Sequence, residues 1–595
     1  MRKITFLILN SIYLSLTPYL FQIISPVDVS AQTSNYTLSF STYLGSSDVE
    51  HARDIAIDAQ GNMIVVGGTK SSTFPTTLAD LTTSTCPLTG AEGNWDAFVT
   101  KFNSTGTLLW SLKMGGMCYD RIYAVELDSV GNIYISGRAG EGFPVTAGSF
   151  QTSFLGTNQG IYGNQNAFVA KLGPNGNKIW ASYAGTGNLA RDIAVDSDGD
   201  VYIPLANSGA GAYANSLWLT NAYQATPRGG RECGVMKIRS DGSQVIWATY
   251  FGGTGNDSQE ASVSVDSAEN VYLTGFTDST NLPTTSLAYD RIYNGGPTDL
   301  YVAKFSADGS QLMYSTYLGG SGEEYMNTHN LSLDANGDAY ISVYTTSSNY
   351  PITVGAFQTT AGGGVDIGLS KISSTGGLSA SSYLASGGDD NSDGITVGID
   401  NNVYISGVTN SANFPVTSNA YQTVKSTGND AFSTIINANL TALVYSTFIG
   451  GQSYDNVRGS TVDSGGNFYL VGSTDGAGWP TVNPYQSTFQ GGSGTYGTGD
   501  AVVAKFTPLL PTSTPTTSIP APSPTNTPAP TSTPTPLPPV PGDANGDRYV
   551  DGLDYVIWLN HYNSPTSNSA SDGDFNSSGN VDGLDYVVWL NNYGA

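Results

Sequence analysis

The chain is poor in cysteine, in histidine and in positive charge, and each shortage closes a line of interpretation. Its three cysteines, Cys86, Cys118 and Cys233, are too few and odd in number for a disulfide framework. None stands in the Cys/His spacing of a zinc site. Cys86 and Cys118 can pair in an oxidising compartment, and Cys233 reads as a buried thiol at the start of a strand. The three histidines, His51, His329 and His561, fall in no catalytic spacing, and there is no G-x-S-x-G string. Lys and Arg number 22 against 48 Asp and Glu, a formal net charge of −26. A polyanion of this kind adds repulsion to a phosphate backbone or an anionic lipid surface, which excludes nucleic acid as a partner and favours cations. Beyond the first residues no apolar run is long enough to span a bilayer.

What is present points to many turns and strands. Gly contributes 72 residues and Tyr 36, while charged residues make up only 12%, a composition that suits an all-β protein better than a helical enzyme. The chain opens with "MRK", an apolar stretch "ITFLILNSIYLSLTPYLFQII" and "VSA" before Gln32. That order reads as a signal peptide over 1–31, and a retained N-terminal anchor is the other reading. Either way the expected location is secreted or cell-surface.

The long middle of the chain repeats. Turns of the type D-x-x-G-N recur at Asp58, Asp128, Asp196, Asp266, Asp334, Asp400 and Asp463. Each sits between two apolar runs, a hairpin signature in which Asp bonds the turn backbone and Gly accepts positive φ. A second hairpin follows, beginning with strings such as "DAFVTKF" and "DLYVAKF" and ending with strings such as "QLMYSTYLGG". Four strands per unit, here named A to D, repeated seven times predict a mainly β fold, a seven-bladed β-propeller. The seventh unit stops after strand C at Asp500–Phe506. Its missing strand D stands at the other end as "LSFSTYLG" (Leu38–Gly45), so the N-terminal strand is expected to close the ring and hide its edges. These units resemble SBBP-type β-propeller repeats over roughly 36–507, carried by "STYLGG", D-x-x-G-N, the aromatic-Pro pair and "DAFVAK". Blade three departs most, with "IPLANSGAG" and "CGVMKI". The resemblance implies the fold and export, and no substrate.

In such a blade the A–B and C–D turns share one face, and the longer B–C loops share the other with the D–A loops. The long-loop face is the expected surface for a glycan or protein ligand. Its aromatic-Pro pairs at Phe74, Phe143, Tyr350, Phe414 and Trp479, with Leu282 in a sixth blade, are expected to pack loops rather than bind. The irregular insertions Cys86–Trp95, Gly156–Gln165 and Gly491–Asp500 are better places for specificity. Adjacent acids such as Glu323-Glu324 and Asp389-Asp390 are expected to be solvated, and no catalytic residue is assigned.

Residues 508–541 are Pro, Thr, Ser and Ala-rich without charge or aromatics, an extended spacer expected to be disordered. The last segment, 542–595, is written twice: "DANGDRYVDGLD" and, 31 residues on, "DFNSSGNVDGLD". The first spaces oxygens at Asp543, Asn545, Asp547, Asp551 and Asp554, with the Tyr549 carbonyl between them. The second offers Asp574, Asn576, Ser578, Asp582 and Asp585, with the Asn580 carbonyl. This is EF-hand-like loop spacing for a hard cation, and calcium suits so many flexible oxygens. Ser578 replaces an acid, so the second of two calcium sites is expected to be weaker. Arg548 stands where the loop normally has Gly. The segment resembles a type I dockerin, which has duplicated loop–helix calcium units with Asp at the last loop position. The resemblance implies docking onto a cohesin-like partner, with Gly552, Leu553, Gly583 and Leu584 at the recognition positions. The helices "LDYVIWLNHY" and "LDYVVWLNNY" are apolar on two sides, enough for a small core and a partner together, or for a core alone.

Two functions follow. One is an exported, non-enzymatic binding or scaffold protein tethered through its dockerin-like module. The alternative is an extracellular carbohydrate-active enzyme, a hydrolase of O-glycosyl bonds or a lyase in polysaccharide catabolism, delivered by that module. The absence of a catalytic constellation favours the first.

Overall fold

The computed structural model describes residues 35–83, 86, 94–186, 189–207, 215–492, 499–509, 540–544, 548, 550, 552–562, 564–566 and 569–592. The expected signal peptide 1–31 and most of the Pro/Thr spacer lie outside them. The chain divides into two compact units, Met1–Thr512 and Ser513–Ala595. Among the described residues no helix is long and apolar enough to cross a membrane.

The first unit is a ring of seven sheets whose main strands pair antiparallel in the order A-B-C-D, with Leu81–Thr82 added in parallel beside strand D of blade one and Thr157–Asn158 beside strand C of blade two. Blade one runs Glu50–Ile57, Met63–Thr69, Asp96–Phe102 and Leu108–Gly115, and blade four runs Asp257–Val265, Val271–Thr277, Asp299–Phe305 and Leu312–Leu318. In blade five strand A is broken into Glu324–Tyr325 and Leu331–Leu333, and in blade three it shrinks to Ala194–Val195. The last blade is ordered Tyr36–Leu44, Asp500–Pro508, Phe468–Thr474, Asp455–Val462. The N-terminal strand supplies its strand D, with Tyr36 opposite Pro508 and Leu44 opposite Ala501.

The recurring strings have local causes. In blade one the Asp58 carboxylate accepts the N–H groups of Gln60 and Asn62 at 3.0 and 2.9 Å, which closes the A–B turn, and Gly61 takes φ 75°. Strand C then sends a lysine down to the turn aspartate: Lys101 to Asp58 at 2.8 Å, Lys304 to Asp266 at 2.9 Å, Lys371 to Asp334 at 3.0 Å. The strand-D tyrosine of "STYLGG" works across to the B–C loop. The hydroxyls of Tyr183, Tyr317 and Tyr383 accept the N–H groups of Phe143, Leu282 and Tyr350 at 2.9, 2.9 and 3.0 Å. The side chain before each loop proline is accordingly buried: Phe74, Phe143, Leu282, Tyr350, Phe414 and Trp479 all lie inside. Apolar clusters fill the seams between blades, as where Val66, Val99 and Leu112 of blade one meet Ile122, Ile135 and Phe168 of blade two.

One expectation is overturned. Glu324 and Asp390 are fully buried, while their neighbours Glu323 and Asp389 are exposed. Both buried residues begin a strand A, where adjacent side chains point to opposite sides. They turn into the seam beside the strand-C acid of the preceding blade. At the Gly that closes "STYLG" a Cβ would stand 2.6 Å from both Asp299 and Glu324 at Gly319, and 2.5 Å from Asp500 and 2.6 Å from Glu50 at Gly45. Burial pushes the Glu50 carboxyl up to about 8, and Asp299 and Asp455 up to about 7.

The second unit has two helices, α1 (Gly552–His561) and α2 (Gly583–Asn592), with Ser564–Pro565 pairing Asn580–Val581. Tyr555 lies 5.1 Å from Trp589 and Trp558 lies 5.3 Å from Tyr586, ring centre to ring centre. These aromatics make the small core between the helices.

Candidate functional site

The C-terminal unit builds each loop around buried carboxylates. In the second loop Asp574 accepts the N–H groups of Ser578 and Gly579 at 2.9 and 2.8 Å. Asp585 accepts those of Asn576 and Asp582 at 3.0 and 2.8 Å. Asn576 Oδ1 accepts the Ser578 N–H at 2.9 Å, and Asp582 Oδ1 caps α2 through the Leu584 N–H at 2.8 Å, an N-cap bond. In the first loop Asp543 accepts the Arg548 N–H at 2.9 Å and Asp554 accepts the Ala544 N–H at 2.8 Å. Asn545, Asp547, Tyr549 and Asp551 lie outside the described residues, as do the side chains of Gly552 and Leu553. Asp554, Asp574 and Asp585 are 0, 1 and 0% exposed, in a segment whose only Lys or Arg is Arg548. Buried carboxylates braced by backbone N–H groups, with oxygen the only donor type, fit a hard cation. Among the described residues no group of three or more His, Cys, Asp or Glu gathers in metal-holding geometry. Gly579 takes φ 86°, and Arg548, at the matching loop position, takes φ 78°. The first loop therefore keeps the glycine conformation with a side chain that pays steric strain for it.

The helices turn a second apolar face outward. Val556 and Leu559 are 48 and 51% exposed, and their counterparts Val587 and Leu590 are 48 and 52% exposed. Leu559 thus lies with Val556 rather than with the aromatic side. Leu584 is exposed as well, and the Gly583 backbone has open space around it.

The propeller axis holds a cluster of charges that motif reading missed. In several blades strand A carries a bulge: pairing shifts between Ala52 and Asp54, Ile122 and Ala124, Ser392 and Gly394, and Val457 and Gly459. The bulge presses on a strand-B glycine, where a Cβ would sit 2.1 Å from the His51 carbonyl at Gly67 and 2.1 Å from the Arg121 carbonyl at Gly137. It aims one residue per blade inward: Arg53, Tyr123, Asp393 and Arg458. Arg191 of blade three pairs with Glu260 of blade four, and Arg458 with Asp393, both at 2.6 Å. His329 crosses from blade five, with Nδ1 3.3 Å from Asp192, Nε2 3.9 Å from Asp54, and Nε2 3.0 Å from the Tyr123 carbonyl oxygen. Burial works against its charge, but the two carboxylates prevail and raise it to about 9. On the A–B turn side of His329 an axial cavity of about 280 Å³ is lined by strand A of all seven blades. On the long-loop side lie the arginines. The only sequence signal for them is "ARDIA", which occurs at both Arg53 and Arg191.

Two predicted insertions reach this end of the axis. Gly156–Gln165 carries Tyr162, whose ring lies 4.3 Å from the Arg138 guanidinium. Trp95, closing the insertion that starts at Cys86, lies 4.3 Å from Arg121. Cys86 is bonded to Cys118, beside Tyr119, and Cys233 is free and buried.

Residues 541–593 match the type I dockerin domain family. The C-terminal unit is a type I dockerin domain. Such domains bind calcium, imply a cohesin partner, and typically belong to extracellular or cell-surface proteins. Residues 246–283, from strand D of blade three into the loop after strand B of blade four, match the SBBP β-propeller repeat. No curated protein matches the chain in sequence. Among solved structures it is similar to the Pan2 WD40 domain of Neurospora crassa at 8% identity, covering 80% of this chain and 97% of that one with a TM-score of 0.37. It is similar to a Dyadobacter fermentans protein of unknown function at 8% identity, covering 80 and 100% with a TM-score of 0.38. A quinohemoprotein alcohol dehydrogenase of Pseudomonas putida is similar at 11%, covering 93 and 84% with a TM-score of 0.38. These are loose likenesses, and the propeller stands on its own strand pairing. The dockerin domain is the part of the chain with a nameable partner.

Proposed function

We propose that this is an exported, non-enzymatic protein in which the dockerin domain attaches a ligand-binding propeller to a cohesin-bearing partner in a calcium-dependent way. Two calcium sites, one per loop, organise two like docking faces, with the second site the weaker because Ser578 stands in place of an acid. Leu584 and Gly583, with Gly552 and Leu553, belong to the recognition surface. The observation that carries the reading is the matched exposure of Val556 and Leu559 with Val587 and Leu590 on a domain whose aromatic residues already fill its core. Apolar residues left out at equivalent places in both copies are what a partner covers. Capture of the full chain on immobilised type I cohesins, with calcium and then with chelator, tests it. Capture that is lost in chelator and lost in Asp543→Asn/Asp574→Asn supports the tether. Capture that persists in chelator, or that no cohesin gives, refutes it.

A further inference from the structure

The long-loop end of the propeller axis concentrates positive charge in a chain of net −26. Five of its arginines, Arg53, Arg121, Arg138, Arg191 and Arg458, come together from blades one, two, three and seven. The Tyr123 ring alone has Arg53, Arg138 and Arg191 at 4.9, 5.7 and 5.2 Å, and the Tyr119 ring has Arg121 and Arg138 at 5.3 and 4.1 Å. Glu260 and Asp393 neutralise Arg191 and Arg458. Among the described residues no carboxylate pairs with Arg53, Arg121 or Arg138, and the groups that face them are the phenols of Tyr119 and Tyr123. The Nε atoms of all five are buried without a hydrogen-bond acceptor, as are both ring nitrogens of His51 and the Trp95 Nε1. The local field is felt by neighbours. Burial pushes the Tyr123 hydroxyl up, yet four surrounding guanidiniums outweigh it and bring it down to about 7. Arg53 is pushed down to about 9 by burial and by Arg458.

Stacking on Tyr119, Tyr123, Tyr162 and Trp95 holds these guanidiniums in place but gives their Nε atoms no acceptor. Like charges gathered in a low-dielectric seam oppose folding, and buried donors without acceptors cost free energy. Both penalties turn into affinity when an anion with several acceptor oxygens enters, because guanidinium matches carboxylate and sulfate in geometry. Of the three arginines without a carboxylate, Arg138 is only partly buried and gives the entry, while Arg53 and Arg121 are 5 and 8% exposed. One hydrogen bond beyond the two carboxylates stand two tyrosines. Tyr325 donates to Glu260 at 2.6 Å and Tyr344 donates to Asp393. Their rings lie 6.2 Å apart and line a cavity of about 310 Å³ with Glu323, Thr346, Val365 and Asn391. Ring faces bordered by hydroxyl, amide and carboxylate groups suit a hydroxylated ring, and the volume is that of a small-ligand site.

From this geometry we propose that the long-loop end of the axis binds an acidic saccharide, its carboxylate or sulfate held by Arg53, Arg121 and Arg138 and its ring set against Tyr325 and Tyr344. The proposal rests on the reading of the propeller as the ligand-binding part and is independent of cohesin docking, which the capture experiment reads separately.

Titration calorimetry on the full chain, with digalacturonate, a sulfated disaccharide, neutral cellobiose and an Asp/Glu tetrapeptide as probes, tests it. Expected is binding of at least one anionic disaccharide, at least tenfold tighter than cellobiose and the peptide. The carboxylated and sulfated arms identify the anionic group. Arg53→Gln and Arg138→Gln are each expected to weaken that binding at least tenfold. Arg53→Gln is expected to melt no lower than the parent chain, since it removes a guanidinium whose charge burial and Arg458 already disfavour. Equal binding of cellobiose, preference for the peptide, no binding of either anionic sugar, or a lowered melting temperature in Arg53→Gln would overturn the proposal.

Discussion

Arg548 shows what one residue tells at each level. By sequence it is a departure from the expected glycine, and by structure it is a non-glycine residue at φ 78° matching Gly579 at 86°. The loop did not change to suit the side chain; the backbone geometry demanded by the carboxylates prevailed. Holding an L-residue there costs about 1 kcal/mol. Arg548→Gly is therefore expected to stabilise the calcium-loaded dockerin domain by about that amount, read as a higher chelator concentration needed to unfold it. Calcium binding by Asp554, Asp574 and Asp585 is the proposal made above; these buried loop acids were legible as repeated positions. The axial residues were not, because the inward-pointing bulge position is Arg at 53, Tyr at 123, Asp at 393 and Arg at 458. A position that changes chemistry from blade to blade leaves no motif.

At the scale of the element, the bulge is specified by what faces it. Gly67 and Gly137 read as ordinary strand glycines, yet each leaves the space that the bulged strand A enters. Gly67→Ala would put its Cβ 2.1 Å from the His51 carbonyl. Backbone cannot yield cheaply there, so a loss of about 3 kcal/mol is expected, seen as a lowered denaturant midpoint. The blade seams carry a second element-scale device, the buried acid pairs. The folded chain holds protons on Glu50, Asp299 and Asp455 up to about pH 8, 7 and 7, while free carboxyls release theirs at 4.5 for Glu and 3.8 for Asp. Between those limits the native state binds more protons than the unfolded one, so stability falls as pH rises. The contribution is complete below the free carboxyl values and lost as pH rises through 7 and 8. The propeller is expected to melt higher at about pH 5 than at about pH 9, followed by its β-sheet dichroism with calcium in excess. A rising melting temperature over that interval would show that the seam acids are ionised. Adjacent acids in the sequence gave no sign of this, because alternation along a strand buries one and exposes the next.

At the scale of the whole molecule, the seven-fold repeat and the split last blade were legible from the order of strings alone. Leu38–Gly45 could be recognised as a displaced strand D because "STYLGG" recurs elsewhere with its partner strands intact. What no string recorded was the meeting of blades at the axis, since ring closure brings Arg53 beside Arg458 across some four hundred residues of chain. The central claim concerns the other module: a duplicated, calcium-organised surface that gives the propeller its attachment. The most direct measurement compares cohesin affinity for four full-length chains in calcium. They are the parent, Val556→Asp/Leu559→Asp, Val587→Asp/Leu590→Asp, and the chain carrying all four changes. Each double variant is expected to keep affinity within a few-fold of the parent through its other face, and the fourfold variant to lose it altogether. Undiminished binding by the fourfold variant would contradict the account.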